Sequence, residues 1–202
     1  MLHVTCRGSR VFLGEVGEGF ALDPEQRAAC ELREPLSIRR GRWLTGPVAD
    51  IPHYLDIAGT AFTLIDAPEP IACWTASLEA ADAGPSPTVN IIVEPAAQPG
   101  PEILQLTAEV IAHFDELTDV AGAYLREQLT DPRFGLRQDE LQSLRSGEPP
   151  FGEPEAVIWD DGGWMLRFTE STLELADPYG IGVLFDGMTP SAVEDLSDPD
   201  PA

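Results

Sequence analysis

Glu155-Ala-Val-Ile-Trp159, Asp160-Asp161-Gly162-Gly163, Trp164-Met-Leu-Arg-Phe168 is the stretch that decides how the chain is read. Two apolar runs rich in β-branched and aromatic residues flank a cluster of turn formers, the pattern of a β-hairpin. A two-residue Asp161-Gly162 turn is the strongest short hairpin signal. It predicts Trp159 opposite Trp164, Val157 opposite Leu166 and Glu155 opposite Phe168. All of these side chains except Glu155 are large and apolar, and they would share one face. A one-residue slip would turn one strand's apolar set to the other face.

Downstream, Ile181-Gly-Val-Leu-Phe185 reads as the next strand and ends at a second Asp-Gly turn, Asp186-Gly187. Residues Thr189 to Leu196 fit either a final strand or a proline-started helical turn. The last third is therefore a strand meander, closed by Asp198-Pro-Asp-Pro-Ala202, a disordered acidic tail over 198–202.

Upstream lies the clearest helical pattern. Ile103, Leu106, Val110, Phe114, Leu117, Ala121, Tyr124 and Leu125 recur mostly at three- and four-residue steps and form one apolar stripe. This predicts one long helix over about 102–129, about 40 Å long at 1.5 Å per residue. Thr118 or Asp119 can cap a second helix, which makes that point the place for a break. Leu136 to Ser146 reads as a shorter helix stopped by Gly147.

The first half reads as strands: Leu2 to Arg7, Val11 to Leu13, Phe20 to Leu22, Tyr54 to Ile57, Ala61 to Ile65, Ile71 to Ser77 and Thr88 to Val93. Asp23-Pro24-Glu25-Gln26 starts a short helix ending before Pro35. Strands, then helices, then strands imply an α+β fold with a mainly antiparallel sheet, in a single domain over 1–197. No internal repeat or βαβ alternation is visible.

Charge is the one functional signal spread over most of the chain. There are 35 carboxylates against twelve arginines and no lysine, for a net charge of −23. Through Arg42 the balance is about plus one; from Trp43 onward it is −24. Such a field repels nucleic acid, anionic lipid and phosphorylated metabolites and attracts basic partners. An apolar fraction of 43% is too high for a wholly disordered acidic chain. Three scattered cysteines, Cys6, Cys30 and Cys73, form no CxxC pair and no disulfide framework, which favours a reducing compartment. Met1-Leu-His-Val-Thr-Cys-Arg has neither the basic start nor the apolar run of a leader. No apolar stretch reaches the ~20 residues that span a bilayer. The expectation is a cytoplasmic protein.

Motifs that carry chemistry are sparse. Gly14-Glu-Val-Gly17-Glu-Gly19 has glutamates inside the loop and a strand after it, so it reads as a hairpin turn rather than a phosphate cradle. His3, His53 and His113 lack zinc-pair spacing, and no cysteine carries a nucleophile signature. Arg39-Arg40-x-Arg42-Trp43 reads as an internal partner for acids or as one pole of the molecule. The sequence thus assigns no catalytic residues, no metal ligands and no cofactor.

Trp164-Met-Leu-Arg-Phe168, Pro178-Tyr-Gly-Ile-Gly-Val-Leu-Phe-Asp-Gly187 and Val193-Glu-Asp-Leu-Ser-Asp198 together resemble a recurring small acidic bacterial module of uncharacterised function. Some members are linked with immunity proteins of polymorphic-toxin systems. The resemblance covers roughly 150–198. It implies a non-enzymatic binding protein of immunity or inhibitor type that engages a basic protein such as a toxin or nuclease. It carries no catalytic residue over. Carboxylates of the meander, Asp160, Asp161, Glu194 and Asp195, are the expected partner-binding residues. One alternative is a hydrolase gathering His53 or His113 with dispersed carboxylates in a concave pocket. Another is an accessory domain whose acidity serves solubility.

Overall fold

Thr88-Val-Asn-Ile-Ile-Val93 and Ala156-Val-Ile-Trp159 are near-continuous apolar runs, the signature of strands covered on both faces. In the computed structural model they lie side by side at the centre of an eight-stranded sheet and run parallel, with Thr88 to Ile92 paired with Glu155 to Trp159. Backbone is described for residues 2–7, 10–15, 51–79, 86–146 and 150–196. The expected strand at Phe20, the helix after Asp23, the arginine cluster at 39–42 and the tail at 198–202 lie outside these.

The chain divides into two compact units, Met1–Asp50 and Ile51–Ala202. In the first, β1 (Leu2–Arg7) and β2 (Arg10–Glu15) form an antiparallel hairpin, with Leu2 opposite Glu15 and Arg7 opposite Arg10. The second unit contains two antiparallel meanders. The first is β3 (Tyr54–Ile57), β4 (Thr60–Ile65), β5 (Ala72–Ser77) and β6 (Thr88–Val93). The second is β7 (Phe151–Trp159), β8 (Trp164–Ser171), β9 (Ile181–Asp186) and β10 (Thr189–Asp195). Sheet order follows chain order from β3 to β10, and only the β6–β7 pair is parallel. The α+β class, the mainly antiparallel sheet and the C-terminal meander are as expected, and Thr189 to Asp195 is strand, not helical turn.

The helical connection between β6 and β7 differs from expectation. Instead of one long helix there are α1 (Pro101–Ala112) and α2 (Phe114–Gln128), separated at His113, whose ψ of 19° leaves the helical range. The break falls five residues before Thr118, at a position with no Gly, Pro or capping side chain. Bonds from His113 N to Glu109 O and from Leu117 N to His113 O carry the ladder across it, so the axis is broken at one residue only. A third helix, α3 (Gln138–Arg145), follows a short 3₁₀ turn. The stripe survives the break: Ile103, Val110, Phe114, Leu117, Ala121 and Leu125 join the inward residues of one sheet face in a single core.

The deciding hairpin is slipped by one residue from the predicted register. Ile158 faces Trp164, Ala156 faces Leu166 and Glu155 faces Arg167. Its loop has three residues, Asp160 to Gly162. Gly162 N donates to Trp159 O at 3.1 Å, Gly162 has φ +82°, and Trp159 N donates to Gly163 O at 2.9 Å. A positive-φ glycine ending a three-residue loop is the second common hairpin solution. Two forces select it here. The slip costs no burial, because Ala156, Val157, Ile158 and Trp159 are all buried, in alternation on the two faces. It also replaces a Glu155–Phe168 mismatch with an opposite-charge cross-strand pair.

Candidate functional site

The expected contact residues fall in two places. Asp160 and Asp161 are exposed in the β7–β8 loop, where Asp161 Oδ1 accepts from Gly163 N at 2.8 Å. Trp164, buried and stacked on Phe185 at 4.1 Å, donates its indole N–H to Gly187 O at 2.7 Å. That bond ties this loop to the β9–β10 turn and brings exposed Asp186 into the same neighbourhood. Glu194 and Asp195 lie at the far end of β10, opposite Gly182 and Ile181. Six residues of strand separate that end from the turn at Thr189, about 20 Å at the usual rise. Both are half-buried, and strand alternation sends them to opposite faces of the sheet. The four acids therefore do not form one patch.

A polar group that the sequence reading did not single out sits in the middle of the sheet, on the face away from the helices. There Asn90, Glu155 and Arg167 come from three adjacent strands, β6, β7 and β8. Asn90 Nδ2 donates to Glu155 Oε1, and the Arg167 guanidinium pairs with Glu155 Oε2. Arg167 and Asn90 are buried, and the Glu155 side chain is only 13% exposed. Loss of water pushes the Glu155 carboxyl above its usual range, while Arg167 and the two hydrogen bonds hold it down in part. Cys73, two strands away from Glu155 on the same face, has its thiol pushed up to about 12 by burial and then by the Glu155 charge. A thiol so protonated is a poor nucleophile, so the cysteine acts as a small buried hydrophobe. The sequence signal was available: Asn90, Glu155 and Arg167 are the polar interruptions of three otherwise apolar runs.

A second ion-paired group caps α3. Glu140 is buried, and its carboxylate accepts from Arg137 N at 2.9 Å and Glu174 N at 2.8 Å. Those two backbone donors hold its carboxyl below the usual range. Arg137 in turn pairs with Asp139, Glu140 and Glu174. The arrangement fastens the start of α3 to the 3₁₀ turn before β9.

The break at His113 borders an open cleft of about 680 Å³, enclosed by the β3–β4 turn, the end of β5 and the α1–α2 junction. His113, Glu79, Asp115 and Glu116 line it, with His113 Nδ1 3.2 Å from Glu116 Oε2. The structure thus brings His113 together with carboxylates in a concavity. His53 is exposed just before β3, its ring 5.0 Å from that of Tyr54, and is not among the residues lining the cleft.

Among the described residues, no three His, Cys, Asp or Glu side chains converge as a metal site. No described helix is long and apolar enough to cross a membrane. Compared with protein-family models, curated proteins and solved structures, the chain matches none of them.

Proposed function

We propose that this chain is a non-enzymatic binding protein of the immunity or inhibitor type, acting in the cytoplasm on a basic protein. The observation that carries the reading is how charge is distributed in the second unit. Residues 51–202 hold 28 carboxylates and five arginines, so the whole net charge of −23 belongs to this unit. Of those arginines, Arg133, Arg137 and Arg167 are engaged in ion pairs with the chain's own acids. Apart from Glu140, Glu155, Glu194 and Asp195, every described carboxylate of the unit is exposed. In this unit three of five arginines are tied to its own acids while most carboxylates face outward, which steers a basic partner and rejects polyanions.

The test is stopped-flow association with the protein recovered by pull-down from the native host, over a range of salt. The expected result is an association rate that falls steeply with salt and drops when Asp160, Asp161, Glu194 and Asp195 are neutralised together. Absence of binding, or a rate indifferent to salt and to those changes, overturns the reading.

The cleft favours one second reading, a hydrolase that uses His113 with Glu116 or Asp115. Turnover of a simple ester or phosphodiester that is lost in His113→Ala would establish it. Turnover unchanged in that variant, or none at all, removes it.

A further inference from the structure

We propose that the cleft at the α1–α2 junction is the specific pocket of the acidic surface, and that it receives an arginine side chain of the basic partner. The inference rests on the binding reading above and names where that partner inserts. Two features of the cleft combine. Apolar side chains contribute to its lining: Leu78 and Ile111 are half-buried there, and Phe114 beside them is 4% exposed. Its rim is anionic: Glu79 on one side and Asp115 and Glu116 on the other are all exposed. Among the described residues no arginine lines it.

Apolar side chains set beside carboxylates suit a side chain that is aliphatic along its stem and cationic at its tip. A guanidinium serves better than an ammonium, because its fork of N–H donors reaches carboxylates on two walls at once. The volume is of the size that holds a ligand group rather than a bare ion. The walls are also fixed. Leu78 N donates to Pro87 O at 2.8 Å, closing the β5 side, and Gly59 N donates to Asp56 Oδ1 at 3.2 Å in the β3–β4 turn. The break at His113 gives the third wall its shape: it interrupts the helix where Ala112 to Glu116 border the cleft.

The probe is a short peptide with one central arginine, titrated into the full chain labelled with ¹⁵N. A citrulline peptide of the same sequence is the neutral control. The expected result is amide shifts concentrated at 77–79 and 111–116, absent with citrulline. Affinity should fall roughly tenfold in Glu79→Gln/Glu116→Gln, a loss of about 1.4 kcal/mol, and stay unchanged in Asp66→Asn/Glu69→Gln, two exposed acids of the β4–β5 connection that do not line the cleft. Shifts scattered over all acidic segments, or equal affinity in both variants, overturn the pocket. In that case salt-dependent association of the basic partner protein still upholds the acidic-surface reading. If neither peptide nor protein binds, both fail.

Discussion

Removing the Arg167 guanidinium isolates the sharpest energetic claim of the structure. Arg167 is 8% exposed, and the Glu155 side chain that it pairs with is 13% exposed. Both charges have left water, so the small worth of a surface ion pair does not apply. Arg167→Met keeps the aliphatic stem but leaves a desolvated carboxylate beside Asn90. Breaking such a pair from one side costs about 3–5 kcal/mol. The surface pair Arg133–Asp131, with side chains 61% and 54% exposed, supplies the contrast, and Arg133→Met should cost about 0–1 kcal/mol. Adding Glu155→Gln to Arg167→Met removes the stranded charge while keeping an acceptor for Asn90 Nδ2. The double variant should therefore be more stable than Arg167→Met alone by about 2 kcal/mol. Urea unfolding, read from midpoints at a common slope, measures all three. If Arg167→Met costs no more than Arg133→Met, or if the two changes in the pair simply add, the buried pair does not hold the hairpin as argued.

Three further outcomes are expected. Glu140, with a carboxyl held below the ordinary 4.5, contributes stability that is present above that value and lost as pH falls through its folded value; the unfolding midpoint of Glu140→Gln should therefore fall less than wild type from about pH 5 downward. Gly180 has φ +84°, and a Cβ there would sit 2.2 Å from Phe168 O; Gly180→Ala should unfold several degrees below Gly162→Ala, which carries a similar φ of +82° in open space and costs only ~1 kcal/mol. Cys73, with its thiol near 12, should resist iodoacetamide at about pH 8 in the folded chain and react only in denaturant, as read by mass spectrometry of its peptide.

Much of the element content was legible because local patterns and burial agree. Tyr54 to Ile57 and Thr88 to Val93 are strands at the expected bounds. Four things escaped for physical reasons. The hairpin register depended on a choice between two loop types that share Asp-Asp-Gly-Gly, and a strand apolar on both faces does not penalise a slip. Placing Glu155 as the odd residue hid the clue, since Arg167 was available one position before Phe168. The helix break at His113 has no local marker, because its neighbours are ordinary helix formers and the stripe runs through it. The cleft draws on 59–61, 77–79, Pro87 and 111–116, and no short motif records that meeting. The parallel pair was hidden because a short apolar run carries no sign of direction.

That parallel pair has a consequence for how the sheet is assembled. Every other strand neighbour in the second unit follows along the chain through a local connection. Among the strand pairings of this sheet, β6–β7 alone joins residues more than sixty positions apart, so the pairing cost of closing a long loop falls on one seam. Glu155 lies on that seam, with Asn90 reaching it from the first meander and Arg167 from the second. Arg167 can meet it as soon as the local hairpin forms. Asn90 can meet it only when the halves dock in register. A docking shifted by one residue would place Asn90 on the wrong face and leave the carboxylate without its second partner. The buried polar group is thus satisfied in full only when the one strand pairing between distant parts of the chain is in register.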